Sequence, residues 1–286
     1  MQDRRCFVQF IHPGGEHVPD DGNLKRWNRD LHRRKFLKMA GRYIDAGEIR
    51  NCEVEFWGEW EPESHVVRRY NERAPDGPHF LYEPYFVRPD DETVRQNTDP
   101  FVFGDQFHYT GCLQHTKFGE TQLRHLAPGS LILFGSCREL SRFVIDTVFV
   151  VGETHVDHTR GDHAQTLHPA VSDTYWTVTG LPWYTGDAPA ARSHRLYFGA
   201  TPERPVDGMF SFFPSRPHIP HGNGFARPQI ELPGLITQHL TQGKKIARDL
   251  SPTDLHGLWA RIVEQVQRQG LTIGVRAELP PEFTDT

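Results

Sequence analysis

No apolar run in these 286 residues approaches membrane-spanning length, so the sequence predicts no bilayer insertion and no membrane partner. Met1-Gln2-Asp3-Arg4-Arg5 is followed by too short an apolar stretch for a secretory signal. The four cysteines, Cys6, Cys52, Cys112 and Cys137, lie far apart with no CxxC pair. That argues against a zinc ribbon or a disulfide scaffold and points to a reducing, cytoplasmic compartment. No cysteine has a helix-cap context that would make it a nucleophile. A P-loop, a Rossmann glycine fingerprint and a GxSxG elbow are absent, which removes the commonest nucleotide and serine-hydrolase signatures. There is no internal repeat. Cationic excess is missing too: the net charge is −5, so any attraction for nucleic acid must come from a local patch.

What is present is aromatic and unevenly charged. Rings make up 12% of the residues, so core and site should lean on aromatics. Between Lys25 and Arg42 stand eight Lys/Arg and one acid; between Glu53 and Glu63 stand five carboxylates and no cation. Lysines and arginines neutralise phosphates and release counterions, which suits Lys25, Arg29, Arg33, Arg34 and Lys38 to an anionic polymer. A solvated face balancing the acids downstream is the alternative. Trp57, Glu59, Trp60 and Glu61 combine indole faces with hydrogen-bond acceptors, the two things an everted base needs. The alternative there is core tryptophans with a rim of exposed glutamates.

The periodicity predicts a β-rich α+β fold, a mixed sheet or partial barrel with flanking helices, in one compact domain over residues 1–286. Cys6–Ile11 reads as a buried strand ending in a turn whose His12, Glu16 and His17 could line a site. Leu24 to Tyr43 reads as helical with a break near Arg33–Lys35, because the apolar face of Leu24, Trp27 and Leu31 becomes basic further on. Gly47 would end the second helix. Asn51–Trp57 alternates as a half-buried strand, and Tyr82–Val87 reads as an edge strand. Ser130–Gly135 and Phe143–Val151 should form a hairpin closed by Ser136–Arg142. Thr174–Val178 and Gly208–Phe213 read as strands, and Leu235 starts a helix. A last helix, about 252–269, has Ser251 as cap, Pro252 first and Asp254 closing a capping box. A strand at Leu271–Val275 follows it.

Two resemblances follow from particular residues. Pro128-Gly129-Ser130-Leu131-Ile132-Leu133-Phe134 with Phe143–Val151, within about 123–152, resembles the central hairpin of PUA-like domains of the ASCH, EVE and YTH groups, with Ser130 where an acid is common. That resemblance implies a reader holding a base in an aromatic pocket. Gly104-Asp105-Gln106-Phe107-His108-Tyr109, Leu133-Phe134-Gly135-Ser136 and His168-Pro169-Ala170-Val171-Ser172 are similar, in order, to motifs of uracil-DNA glycosylases. Asp and Gln are exchanged, the proline of the first motif is missing, and Ala-Val replaces Ser-Pro in the last.

The combined expectation is a DNA-binding protein (RNA being the other partner considered) that acts on a flipped, modified base, most concretely a DNA glycosylase in antiviral defence. Asp105 and Glu59 would stabilise the sugar cation or orient water, with His108 or His168 assisting the departing base. Trp57, Trp60, Glu61 and Tyr109 would form the base pocket. No cofactor is expected. One alternative is a non-catalytic PUA-like reader of modified DNA or RNA. The other is a metal-dependent hydrolase using His155, Asp157, His158 and His163, beside His168.

Overall fold

The computed structural model describes every residue except 1, 13, 73–74, 91–92, 139–141, 186–191, 241–242 and 285–286. The fold is α+β, with β-rich mixed sheets. Cys6–Ile11 is buried along its whole length, as a strand covered on both faces must be. It lies parallel to the Leu131–Arg138 strand and antiparallel to Gly243–Arg248. Leu131–Arg138 forms the expected hairpin with Arg142–His158, Leu131 opposite Val150; the tip, 139–141, falls outside the described residues. Arg142–His158 continues into a pairing with His194–Gly199, and His108–Tyr109 completes this six-stranded sheet.

A bulge at Phe134/Gly135 bends the hairpin. A Cβ on Gly135 would fall inside the envelope of the Val144 carbonyl oxygen, which belongs to backbone that cannot rotate away. Gly135→Ala should therefore cost about 1–3 kcal/mol, as overpacking does, read as a lower midpoint in urea unfolding.

The second sheet departs from the sequence reading. Lys35–Asp45 is a strand, not a helix, and pairs residue by residue with Glu48–Gly58. Phe36 and Leu37 are adjacent and both fully buried, which a strand covered on two sides allows and one helix stripe does not. Ala46 and Gly47 have φ of 49° and 83° and form the two-residue turn between the strands. Gly47 thus serves a hairpin rather than a helix end. Glu48–Gly58 does not alternate as expected: Glu48 to Glu53 are exposed apart from half-buried Cys52, and Val54 to Trp57 are buried on both faces. Phe80–Pro84 is not an edge, since it lies between Lys35–Asp45 and Ser64–Arg69. Phe213–Pro217 pairs with Glu48–Gly58 and with Thr272–Ala277, which returns to Lys35–Asp45. These four strands close a ring.

Thr174–Val178 is helical, part of the turns between Asp173 and Thr185, and Leu235 ends a turn over 233–235 rather than starting a helix. The Gly208–Phe213 strand is displaced to Phe213–Pro217. Pro252–Arg268 is as read. Ser251 Oγ accepts from the Asp254 N–H and the Asp254 carboxylate accepts from the Ser251 N–H, a cap typically contributing about 1 kcal/mol. Leu255, Leu258, Ile262 and Val266 are the buried stripe. No helix among the described residues is long and apolar enough to cross a membrane.

Candidate functional site

Between Lys25 and Lys35 the chain runs without regular structure, held from within. The Trp27 indole N–H donates to Gln96 O at 2.9 Å, and the Asn28 backbone N–H donates to Glu61 O at 2.8 Å. That anchoring sorts the side chains. Arg26, Arg29 and Arg33 point outward and exposed, and among the described residues none has a carboxylate within 4 Å. Asn28 and His32 point inward to Glu61. Between the loop and His17 opens a cleft of about 770 Å³, bordered by Lys25, Asn28, Asp30 and Arg33. Its apolar lip is Val18 and Leu31, 59% and 73% exposed. A neighbouring cleft of about 420 Å³ shares Lys25, Asn28 and Asp30 and extends over Arg26, Trp27 and Arg29.

Beneath this floor lie Glu59 and Glu61, just past the end of Glu48–Gly58 and buried. Two carboxylates this deep require partners. Arg34 Nη1 donates to Glu59 Oε2 at 2.8 Å and the Asp99 N–H to Oε1 at 3.1 Å. Asn28 Nδ2 donates to Glu61 Oε2 at 2.6 Å. His32 Nδ1 sits between the pair, 3.2 Å from Glu59 Oε1 and 3.1 Å from Glu61 Oε1. Burial pushes both carboxyls up, but Arg34 and His32 hold Glu59 well below the usual range, and the nearby His17 ring and a hydrogen bond from His32 lower Glu61. His12 Nδ1 lies 3.0 Å from both Glu59 Oε2 and Arg34 Nη2. Arg34, fully buried, also donates through Nε to Asp146 Oδ2 at 2.5 Å.

No family model, curated protein or solved structure matches the chain. The site is therefore read from its own residues.

The centre unites Glu59 and Glu61 with three histidines, His12, His17 and His32. The sequence suggests the first two as site-lining on their turn; His32 and Asn28 are hidden inside a segment that reads as helix. Of the expected phosphate-binding residues, Lys25, Arg29 and Arg33 border the clefts, with Lys25 also paired to Asp20 at 2.8 Å. Arg34 is instead the core of the buried ion network, and Lys38 is held by Glu53 and Glu83 at 3.2 and 2.9 Å. The expected base pocket does not assemble here. Trp57 and Trp60 are buried with their N–H groups on Phe225 O and Glu63 O, and the buried Tyr109 donates to Cys112 O. Glu61 touches Asn28 and His17, which line the cleft.

Asp105 does not join Glu59. Its carboxylate is 86% exposed, 3.1 Å from Arg276, on a separate cleft of about 400 Å³. That cleft does gather Gly104–Gln106, His108 and Pro169–Ser172 from the two glycosylase-like segments. Burial lowers His108 to about 3, so it is neutral. His168 is half-exposed and stacks on Trp176.

The alternative metal cluster comes apart. Asp157 pairs with Arg195, His158 is buried between Thr110 and Tyr184, and His163 stacks on Trp176. His155 lies further along the same strand, near Tyr197. Among the described residues the His/Cys/Asp/Glu group with metal-ligand spacing is His32, Glu59 and Glu61. Cys112 Sγ lies 3.5 Å from His12 Nε2, but burial pushes that thiol up, the opposite of what a nucleophile needs.

Burial opposes the charge on His32, yet Glu59 and Glu61 prevail and raise its pKa to about 10. Its contribution to stability is therefore full below the unfolded value near 6.5 and is lost as pH rises through about 10. The gap in melting temperature between the protein and His32→Asn should be widest near pH 6 and close by pH 10, as read by scanning calorimetry. An unchanging gap would mean that the imidazole is uncharged.

Proposed function

We propose that the protein acts on a nucleic-acid strand, holding the phosphates along Arg26, Arg29 and Arg33 and admitting one nucleotide to the cleft above Glu61. The observation that carries this reading is the two-sided loop: three arginines with no carboxylate partner among the described residues on its outer face, and on its inner face Asn28 and His32, which contact the buried carboxylates. A chain with net charge −5 keeps such a patch for a local purpose. Leu31 and Val18 offer apolar surface to an unstacked base.

The chemistry that fits is cleavage of an N-glycosidic bond. Water adds at C1′ as the bond to the base breaks, and the base leaves with a proton. Two ionised carboxylates steady the positive charge at C1′. His32, whose side chain is 27% exposed and whose neighbours Leu31 and Arg33 line the cleft, can hand over its proton. The likeness of three segments to uracil-DNA glycosylases and of the central hairpin to PUA-like domains points to the same substrate class, and a modified base in phage DNA is the natural candidate.

The test pairs binding with chemistry. Labelled single-stranded and duplex oligonucleotides are titrated by fluorescence anisotropy across a salt series. Phage DNA of natural and modified composition is then incubated with the protein and probed for abasic sites. Salt-dependent binding with base release that survives EDTA is expected. Tight binding to DNA that stays intact would favour the non-catalytic reader, and no binding at 50 mM salt would end the nucleic-acid reading.

A further inference from the structure

We propose that His32, Glu59 and Glu61, with His17 as fourth donor, bind one divalent transition-metal ion. The ligand atoms of the first three all lie within 4.8 Å of one another, and they come from the loop and from the end of the Glu48–Gly58 strand. The fourth is marked independently. His17 is 1% exposed; its Nε2 makes no hydrogen bond and points at Glu61 Oε2 from 3.4 Å. A buried ring nitrogen without a partner is rare and calls for an explanation. An ion in this position supplies one.

Charge and support agree. Glu59 and Glu61 bring two negative charges to a single divalent ion, while Arg34 is shared between Glu59 and Asp146, which also faces Arg227 at 3.9 Å. Three of the four ligands are fixed from behind, as metal ligands are. Asn28 holds Glu61, Arg34 and the Asp99 N–H hold Glu59. The His17 backbone is pinned by Arg34 O and by the Tyr82 hydroxyl. The cleft, bordered by His17, provides the entry path. Imidazoles mixed with carboxylates suit manganese, iron or zinc better than magnesium or calcium.

The inference does not rest on the nucleic-acid reading. Ion and proton compete for the same nitrogen of His32, so the metal-bound form is not the proton donor, and ion binding is measured without DNA.

Chelator-stripped protein is titrated with MnCl₂ and with ZnCl₂ by calorimetry at pH 7, in two buffers of different ionisation enthalpy. One ion per chain, release of about one proton as the imidazolium becomes a ligand, and a higher melting temperature are expected. Glu61→Gln should abolish the signal. His17→Gln, which removes a nitrogen that makes no hydrogen bond and so should leave folding intact, should weaken binding at least about tenfold. Absence of saturable binding to the folded protein, or unchanged affinity in His17→Gln, overturns the assignment.

Discussion

Substituting Arg26, Arg29 and Arg33 together by glutamine lowers affinity for a DNA strand by roughly 10- to 100-fold near 0.1 M salt, while the melting temperature stays within a degree or two. The reason is that none of the three has a carboxylate partner among the described residues, so the fold gives up only loose surface interactions such as that of Arg33 with Glu16 O. Each phosphate left without its arginine lowers the slope of log K against log salt by about 0.7 for a single strand and 0.9 for a duplex. The triple variant should therefore flatten that slope by about 2–3. The weakening should be the same for every sequence, because binding to phosphates carries no base information. Lys38→Gln is the control. Its ammonium is already held by Glu53 and Glu83, and its removal should leave the slope unchanged. If the triple variant binds as the parent does, the loop is a solvated face and the cleft serves another ligand.

Arg34→Met destabilises the protein by about 3–5 kcal/mol, the usual cost of removing one member of a buried ion network. For a chain this long that is a fall of roughly 10 °C in melting temperature. The guanidinium is fully buried and bonded to Glu59, Asp146 and the Arg33 carbonyl. Without it two carboxylates remain in the interior with less compensation. Adding Glu59→Gln to Arg34→Met removes one stranded charge and should restore part of the stability, a coupling that a double-mutant cycle measures. Strict additivity of the two changes would show that Glu59 draws its partner from elsewhere.

What can be read from the residues alone follows the strength of local signals. The C-terminal helix carries its cap, its first proline and its stripe in adjacent positions, and all three are realised. The Leu131–Val150 hairpin is equally plain, since Leu131–Phe134 is a continuous apolar run and Phe143–Val151 is apolar but for Asp146 and Thr147. Lys35–Asp45 reads as helix because its residues suit a helix locally, and only the partner strands on both sides make it extended; tertiary context overrides propensity there. The same override conceals His32, which sits inside a segment that reads as helix and which the structure places between two carboxylates. Glu59 and Glu61 stand out in the sequence for their place beside tryptophans. The tryptophans are core, and the glutamates matter for the histidines that reach them from 12, 17 and 32, a meeting that no spacing in the sequence announces.

The closed circuit of four strands has a consequence for how the chain is made. Its last member, residues 272–277, emerges from the ribosome more than two hundred residues after the first, so the Gly41–Ile44 stretch of Lys35–Asp45, beyond the part that Phe80–Pro84 pairs, waits through most of synthesis with backbone groups unpaired on one flank. Until Ile273 meets Ile44, that flank can recruit a strand from a neighbouring nascent chain. Deleting 272–277 should therefore produce insoluble protein rather than a shortened soluble one.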